Sequence, residues 1–163
     1  MKRKILTMAM LLFSGVLFAQ TSPIRDGQLQ MNFGFGMSNY GLPIYVGLDY
    51  GVHPDITVGG ELSFYSFDKW GYHHGVTNIS GNANYHFNSA LGIPSNWDFY
   101  AGLNLGFSAW NSDAGYNGSH DSGLRLGAQV GARYYWDRKW GINLEFGGGN
   151  EFSGGKVGVS VKF

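Results

Sequence analysis

Leu124–Trp136 reads LRLGAQVGARYYW, and every second residue of it is apolar or aromatic. Leu124, Leu126, Ala128, Val130, Ala132, Tyr134 and Trp136 fall on one side of an extended chain; Arg125, Gly127, Gln129, Gly131, Arg133 and Tyr135 fall on the other. A two-residue period marks a β-strand with one apolar face, because successive side chains leave opposite faces of the strand. The period recurs in Gln28–Ser38, Ile44–Val52, Ile56–Tyr65, Thr77–Phe87, Trp97–Trp110, Trp140–Gly147 and Lys156–Phe163. No helical period interrupts these segments, so the sequence predicts an all-β domain of eight strands with no linker or internal boundary.

Alternation alone does not say whether the apolar face looks inward to a core or outward to lipid. Three features favour lipid. The apolar face carries no charge in any strand, while the polar face holds Asp49, Glu61, Arg125, Arg133, Glu145 and Lys162. Hydrocarbon imposes that exclusion, since Arg or Lys at the bilayer midplane costs about 2–4 kcal/mol. Strand glycines also gather on the polar face, with only Gly60 and Gly81 on the other. Inside a narrow barrel, glycine leaves room for larger polar neighbours. Finally, aromatics cluster at strand ends: Tyr85, Phe87, Trp97, Tyr134, Trp136, Trp140 and Phe163 at one, Phe35, Phe64, Phe107 and Trp110 at the other. Two such belts match membrane interfaces.

Connection lengths point the same way. Short turns sit at His53–Asp55 and Asp137–Lys139, with a longer one around Asn88–Asn96. Longer loops fall at Asn39–Pro43, Ser66–Gly75, Asn111–Ser122 and Gly148–Gly155. Short turns at one end and long loops at the other describe an up-and-down transmembrane barrel with both termini at the short-turn, periplasmic end. Charged residues make up only 13% of the chain, against roughly 25% in an ordinary soluble domain. That shortage argues against a lipocalin-like soluble carrier, which would need charge on the outer faces of its strands. Lys plus Arg equals Asp plus Glu at 11 each, so no basic field for nucleic acid exists. At the N-terminus Lys2, Arg3 and Lys4 precede the apolar run Ile5–Val16 and a small residue at Ala19. Residues 1–19 therefore read as a secretory signal peptide and 20–163 as the barrel domain.

The ending KVGVSVKF resembles the terminal strand of Gram-negative outer-membrane proteins, in which alternating hydrophobics finish in a Phe. The run GARYYWDRKWGINLEFGGG resembles the last hairpin of the small OmpA/OmpX-like outer-membrane β-barrel family. This resemblance implies an eight-stranded antiparallel up-and-down transmembrane β-barrel in the outer membrane. Phe163 would be its insertion signal, read by the barrel insertion machinery, and lipid and lipopolysaccharide would be its surroundings. Unlike the larger OmpA-type proteins, the chain is expected to carry no periplasmic peptidoglycan-binding domain.

Candidate chemistry lies in the inward charges. Glu61 and Glu145, with Asp49, are expected to pair with Arg125 and Arg133, since an unpaired charge in a low-dielectric lumen is costly. The favoured role is a polar plug that fills a monomeric barrel, leaving the loops as a surface for an unidentified extracellular ligand; a narrow, low-conductance porin is the alternative. No cofactor is expected. The histidines His53, His73, His74, His86 and His120 show no metal-ligand spacing, and His86 is expected to face inward and be hydrogen-bonded. A lipid A-modifying enzyme would need a Ser–His–acid set at the lipid-facing outer rim. His86 with Ser89 lies at the opposite end, and Ser119, His120 and Asp121 share one loop, so an enzyme is not expected. Trp70, Tyr72 and Tyr116 are candidate contact aromatics of the loops.

Overall fold

The computed structural model describes residues 22–37, 41–69, 71–112, 122–149 and 154–163. Eight strands follow one another: β1 (Leu29–Gly36), β2 (Ile44–His53), β3 (Ile56–Lys69), β4 (Tyr72–His86), β5 (Trp97–Ser112), β6 (Gly123–Tyr135), β7 (Trp140–Gly149) and β8 (Gly154–Lys162). Each pairs antiparallel with its sequence neighbours, and β1 pairs with β8 to close the barrel. Closure leaves no sheet edge, so every strand in the span satisfies its backbone polar groups internally. Following the register around the barrel returns to β1 about ten residues further along, which for eight strands implies a tilt near 40° and a backbone radius of about 8 Å.

The outer face is the apolar one. Leu103, Leu124 and Leu126 are 69%, 73% and 63% exposed, and Ile79, Val130, Ile142 and Phe146 stand out beside them. From Trp97 to Phe107 on β5 the outward residues span about 25 Å along the barrel axis, the height of a hydrocarbon belt. Glycine supplies the room on the inner face. Gly131 lies opposite Tyr100, Gly141 opposite Tyr135 and Gly102 opposite Asn84; a Cβ on any of the three would collide with that partner side chain.

Two connections differ from the sequence expectation. Ser66–Gly75, expected as a long loop, is the top of a β3–β4 hairpin in which Asp68 pairs with His73 and Lys69 with Tyr72. Gly71 supplies the left-handed residue of the tight turn, at φ 79°. The Asn88–Asn96 connection holds one helical turn, α1 (Asn88–Leu91), stopped by left-handed Gly92. The short-turn end also receives the N-terminal segment. Ser22 and Ile24 are 2% and 0% exposed, Gly27 N–H donates to Gly51 O at 2.8 Å, and Lys162 Nζ reaches Pro23 O at 3.4 Å. The expected signal peptide, residues 1–19, lies outside the described residues.

Candidate functional site in the barrel lumen

Two cations organise the lumen, each held between two carboxylates. Arg133 on β6 stands directly opposite Asp98 on β5 in the register, and its Nη1 donates to Asp98 Oδ2 at 3.1 Å. Its Nη2 crosses the barrel to Asp49 Oδ2 on β2 at 2.7 Å, and its guanidinium lies 4.2 Å from the centre of the Tyr100 ring. All three charged side chains of this cluster are at most 3% exposed. Lys156 on β8 stands opposite Glu145 on β7, with Nζ 2.7 Å from Glu145 Oε1. The same Nζ reaches across to both carboxylate oxygens of Glu61 on β3, at 2.9 and 2.8 Å. Tyr100 Oη donates to Glu145 Oε2 at 2.8 Å and so joins the two clusters.

Neutral side chains extend these clusters along the barrel. Tyr45 on β2 donates to Asn143 on β7 at 2.6 Å, Asn143 to Ser160 at 3.0 Å, and Ser160 to Asn32 at 2.7 Å. Asn104 donates to Gln129 and Gln129 to Asn84, at 2.8 and 2.7 Å. Tyr135 donates across to Gln30, and Lys162 Nζ lies 3.7 Å from the centre of the Tyr135 ring. The cavities found among the described lumen residues are small. Two cavities of about 30 and 20 Å³ share Tyr45, Glu61, Glu145 and Lys156 as common wall, each with room for one or two waters.

Of the five lumen residues singled out in the sequence, Asp49, Glu61, Arg133 and Glu145 come together in these clusters; the Asp49–Arg133 pair is among the expected ones, and the glutamates pair differently. Arg133 takes Asp49 and Asp98, and Lys156 takes the two glutamates. Register is the reason, because it sets Asp98 and Lys156 beside Arg133 and Glu145. Arg125 stands further along β6 opposite Gly106, with its side chain partly buried. Asp98, Tyr100 and Lys156 were missed, although each continues the inward phase of its own strand by one or two steps. Phe163 is 63% exposed at the short-turn end, its N–H donating to Leu29 O and its ring 5.3 Å from Lys139 Nζ.

His86 is fully buried between Asp98 Oδ1, 2.7 Å from Nδ1, and Thr57 Oγ1, 3.0 Å from Nε2. The order hydroxyl–imidazole–carboxylate is that of a nucleophilic triad, but Thr57 and Asp98 are also 0% exposed, so no substrate reaches the hydroxyl. Ser89 donates instead to Asp55 outside the lumen. Ser119, His120, Asp121, Trp70 and Tyr116 lie outside the described residues.

The loop end carries an aromatic layer above the polar lumen. Phe67 stacks on His74 at 5.1 Å and on Tyr65 at 6.2 Å, and meets Trp110 edge-on at 6.1 Å. Trp110, expected in the outer aromatic belt, therefore sits on the inner face, as its even phase on β5 requires; Phe35, Phe64 and Phe107 remain outside. His74 is fully buried there, with Nδ1 2.8 Å from Ser112 Oγ.

A closed eight-stranded antiparallel barrel with an apolar exterior and a packed polar interior defines the class: the fold is that of the small outer-membrane β-barrels. Among solved structures, the chain is similar to the N-terminal β-barrel domain of Pseudomonas aeruginosa OprF at a TM-score of 0.60 and 16% identity, covering 85% of this chain and 98% of that one. It is similar to the outer membrane protein OprG of the same organism at a TM-score of 0.65 and 10% identity, covering 86% and 97%. A third neighbour is Neisserial surface protein A, at 0.58 and 18% identity, covering 83% and 95%. At such identities the likeness is one of fold. No protein-family model and no curated protein matches the chain.

Proposed function

We propose that this protein is a non-conducting barrel of the outer membrane, anchored by its apolar belt and working as a structural or surface-interaction protein through its loop end. The observation that carries this reading is the lumen itself, cross-braced by Arg133 and Lys156 and left with cavities of about 30 and 20 Å³. A pore needs a continuous aqueous path, and eight strands leave an interior that side chains can fill. Lipid and lipopolysaccharide surround the belt, the chain acts as a monomer, and Phe163 serves the insertion machinery as a C-terminal signal after export by residues 1–19. The similarity in fold to outer-membrane barrels supports the placement. A narrow porin is the second reading, favoured by one detail: the two cavities meet at the Lys156–Glu61–Glu145 cluster, so a single rearrangement there would join them. Liposome swelling separates the two readings. Vesicles carrying the purified barrel should swell in small sugars no faster than protein-free vesicles; swelling graded by sugar size would replace the plug with the porin.

A further inference from the structure

We propose that the outer wall of β3–β5, at the loop end, holds one glycolipid of the outer leaflet in a lateral groove, with an acyl chain on the belt and its sugars at the rim. This rests on the outer-membrane orientation proposed above. The groove measures about 360 Å³, within the range of small-ligand clefts. Six of its lining residues, Phe64, His73, Gly75, Thr77, Ala109 and Asn111, hold the outward phase of their strands; the inner-phase Trp110 and Ser112 close it from behind. Gly75 is the floor: a Cβ there would meet only the Phe64 ring, at 3.9 Å, and its neighbours Thr77 and Ala109 are small.

Position along the strands identifies the occupant. Phe64 and Phe107 belong to the outer aromatic belt, and Ala109 and Asn111 follow Phe107 by two and four residues, so the groove begins in hydrocarbon and ends among headgroups. It is continuous with the lipid-facing surface. At its polar end His73 Nδ1 lies 2.8 Å from Asp68 Oδ1 on the neighbouring strand, both side chains exposed, and Asn111 adds an amide. Carboxylate, imidazole and amide together offer paired donors and acceptors without excess positive charge, and no Lys or Arg is among the described lining residues. That set suits the hydroxyls of a saccharide better than a bare phosphate, which calls for Arg or Lys. The shape and chemistry therefore favour a sugar-headed lipid over a glycerophospholipid.

Gly75→Val fills the floor with a residue that strands favour, and the open space around Gly75 lets the barrel keep its fold. Wild type and this variant are reconstituted in phosphatidylethanolamine nanodiscs containing a few mole per cent of dephosphorylated lipid A bearing core sugars. They are then exchanged into mild detergent, and retained lipid is counted by native mass spectrometry. The expected result is one lipid A per wild-type barrel, at least fivefold less on Gly75→Val, and reduced retention on Asn111→Ala. Heat-modifiable migration shows that each variant is folded. Equal lipid A on wild type and Gly75→Val, or phosphatidylethanolamine retained as well as lipid A, overturns the groove. Orientation is read separately. The chain has no cysteine, and a Leu42→Cys variant, at a loop-end position 64% exposed, should react with an impermeant maleimide on intact cells. No labelling overturns the orientation and the glycolipid assignment with it; labelling with equal lipid A counts overturns the groove alone.

Discussion

Removing the Arg133 guanidinium should be among the most damaging single truncations in the lumen. Arg133→Ala deletes two charge-assisted hydrogen bonds, to Asp49 at 2.7 Å and Asp98 at 3.1 Å, and the contact with Tyr100. Hydrogen bonds to charged groups contribute about 1.5–3 kcal/mol each. Two carboxylates of almost no exposure also remain without their shared cation. Asp98 keeps His86 and Asp49 keeps the Asn32 amide, so neither is wholly stranded. The expected loss is about 3–5 kcal/mol, the usual cost of breaking a buried ion pair from one side. With a urea dependence of about 2–3 kcal/mol per molar, the unfolding midpoint of the detergent-folded barrel should fall by roughly 1–2 M. The triple variant Arg133→Ala, Asp49→Asn, Asp98→Asn removes the uncompensated charge and should recover about half of that loss. A single variant within about 1 kcal/mol of wild type, or a triple variant no more stable than the single, would refute the reasoning.

Four other perturbations follow from the same geometry. Lys156→Ala should cost less than Arg133→Ala, about 2 kcal/mol by urea titration, because Glu61 and Glu145 are partly exposed and can be hydrated. Gly131→Ala pushes a methyl into the Tyr100 ring and should lower stability by about 1–3 kcal/mol, with a matching fall in the temperature at which the heat-modifiable band converts. Leu103→Arg, near the middle of the outer belt, should cost about 2–4 kcal/mol in refolding into lipid vesicles; a cost near zero would mean that this face does not meet hydrocarbon. In the β6–β7 turn, backbone N–H donations from Trp140 and Lys139 hold the Asp137 carboxyl below its usual range. A depressed carboxylate stabilises the fold above its unfolded value of about 3.8 and loses that contribution as pH falls through the folded value. Asp137→Asn should therefore lower the urea midpoint at pH 7, and the difference from wild type should shrink below pH 4.

The barrel was legible because hydrocarbon imposes a simple rule on every strand: nothing charged outward. Alternation gives strand count and register phase, and that rule adds which face is inner. The rule stops at the membrane boundary, and the Ser66–Gly75 segment shows why it misled there. Above the belt the outer face meets water, so Ser66, Asp68 and His73 point outward while Tyr65, Phe67 and Tyr72 share the inner face. The polarity inverts, the period persists, and a strand resembles a polar loop. Trp110 was misplaced by the same inversion. In the lumen, the inward charges could be read from phase, but their partners depend on which strands face each other across a closed barrel. Arg133 reaches Asp49 84 residues away, and Lys156 reaches Glu61 at a distance of 95. Asp98 and Lys156 fall inside the expected strands Trp97–Trp110 and Lys156–Phe163, but at their ends, beyond the inward residues read from the alternation. The groove over Gly75 and the burial of Ile24 are products of packing that no local pattern announces.

A scan of single cysteines along Ala128, Gln129, Val130, Arg133 and Ala132 tests the central claim most directly, since the chain contains no other cysteine. In the function proposed above, the barrel is turned inside out and its lumen is sealed. Ala128→Cys, Val130→Cys and Ala132→Cys in lipid vesicles should react with a bilayer-dissolved maleimide, and Gln129→Cys and Arg133→Cys with neither that reagent nor an aqueous one. Aqueous labelling at Gln129→Cys and Arg133→Cys as fast as at an exposed loop position would contradict the filled lumen; aqueous labelling at the other three would contradict the outward apolar face.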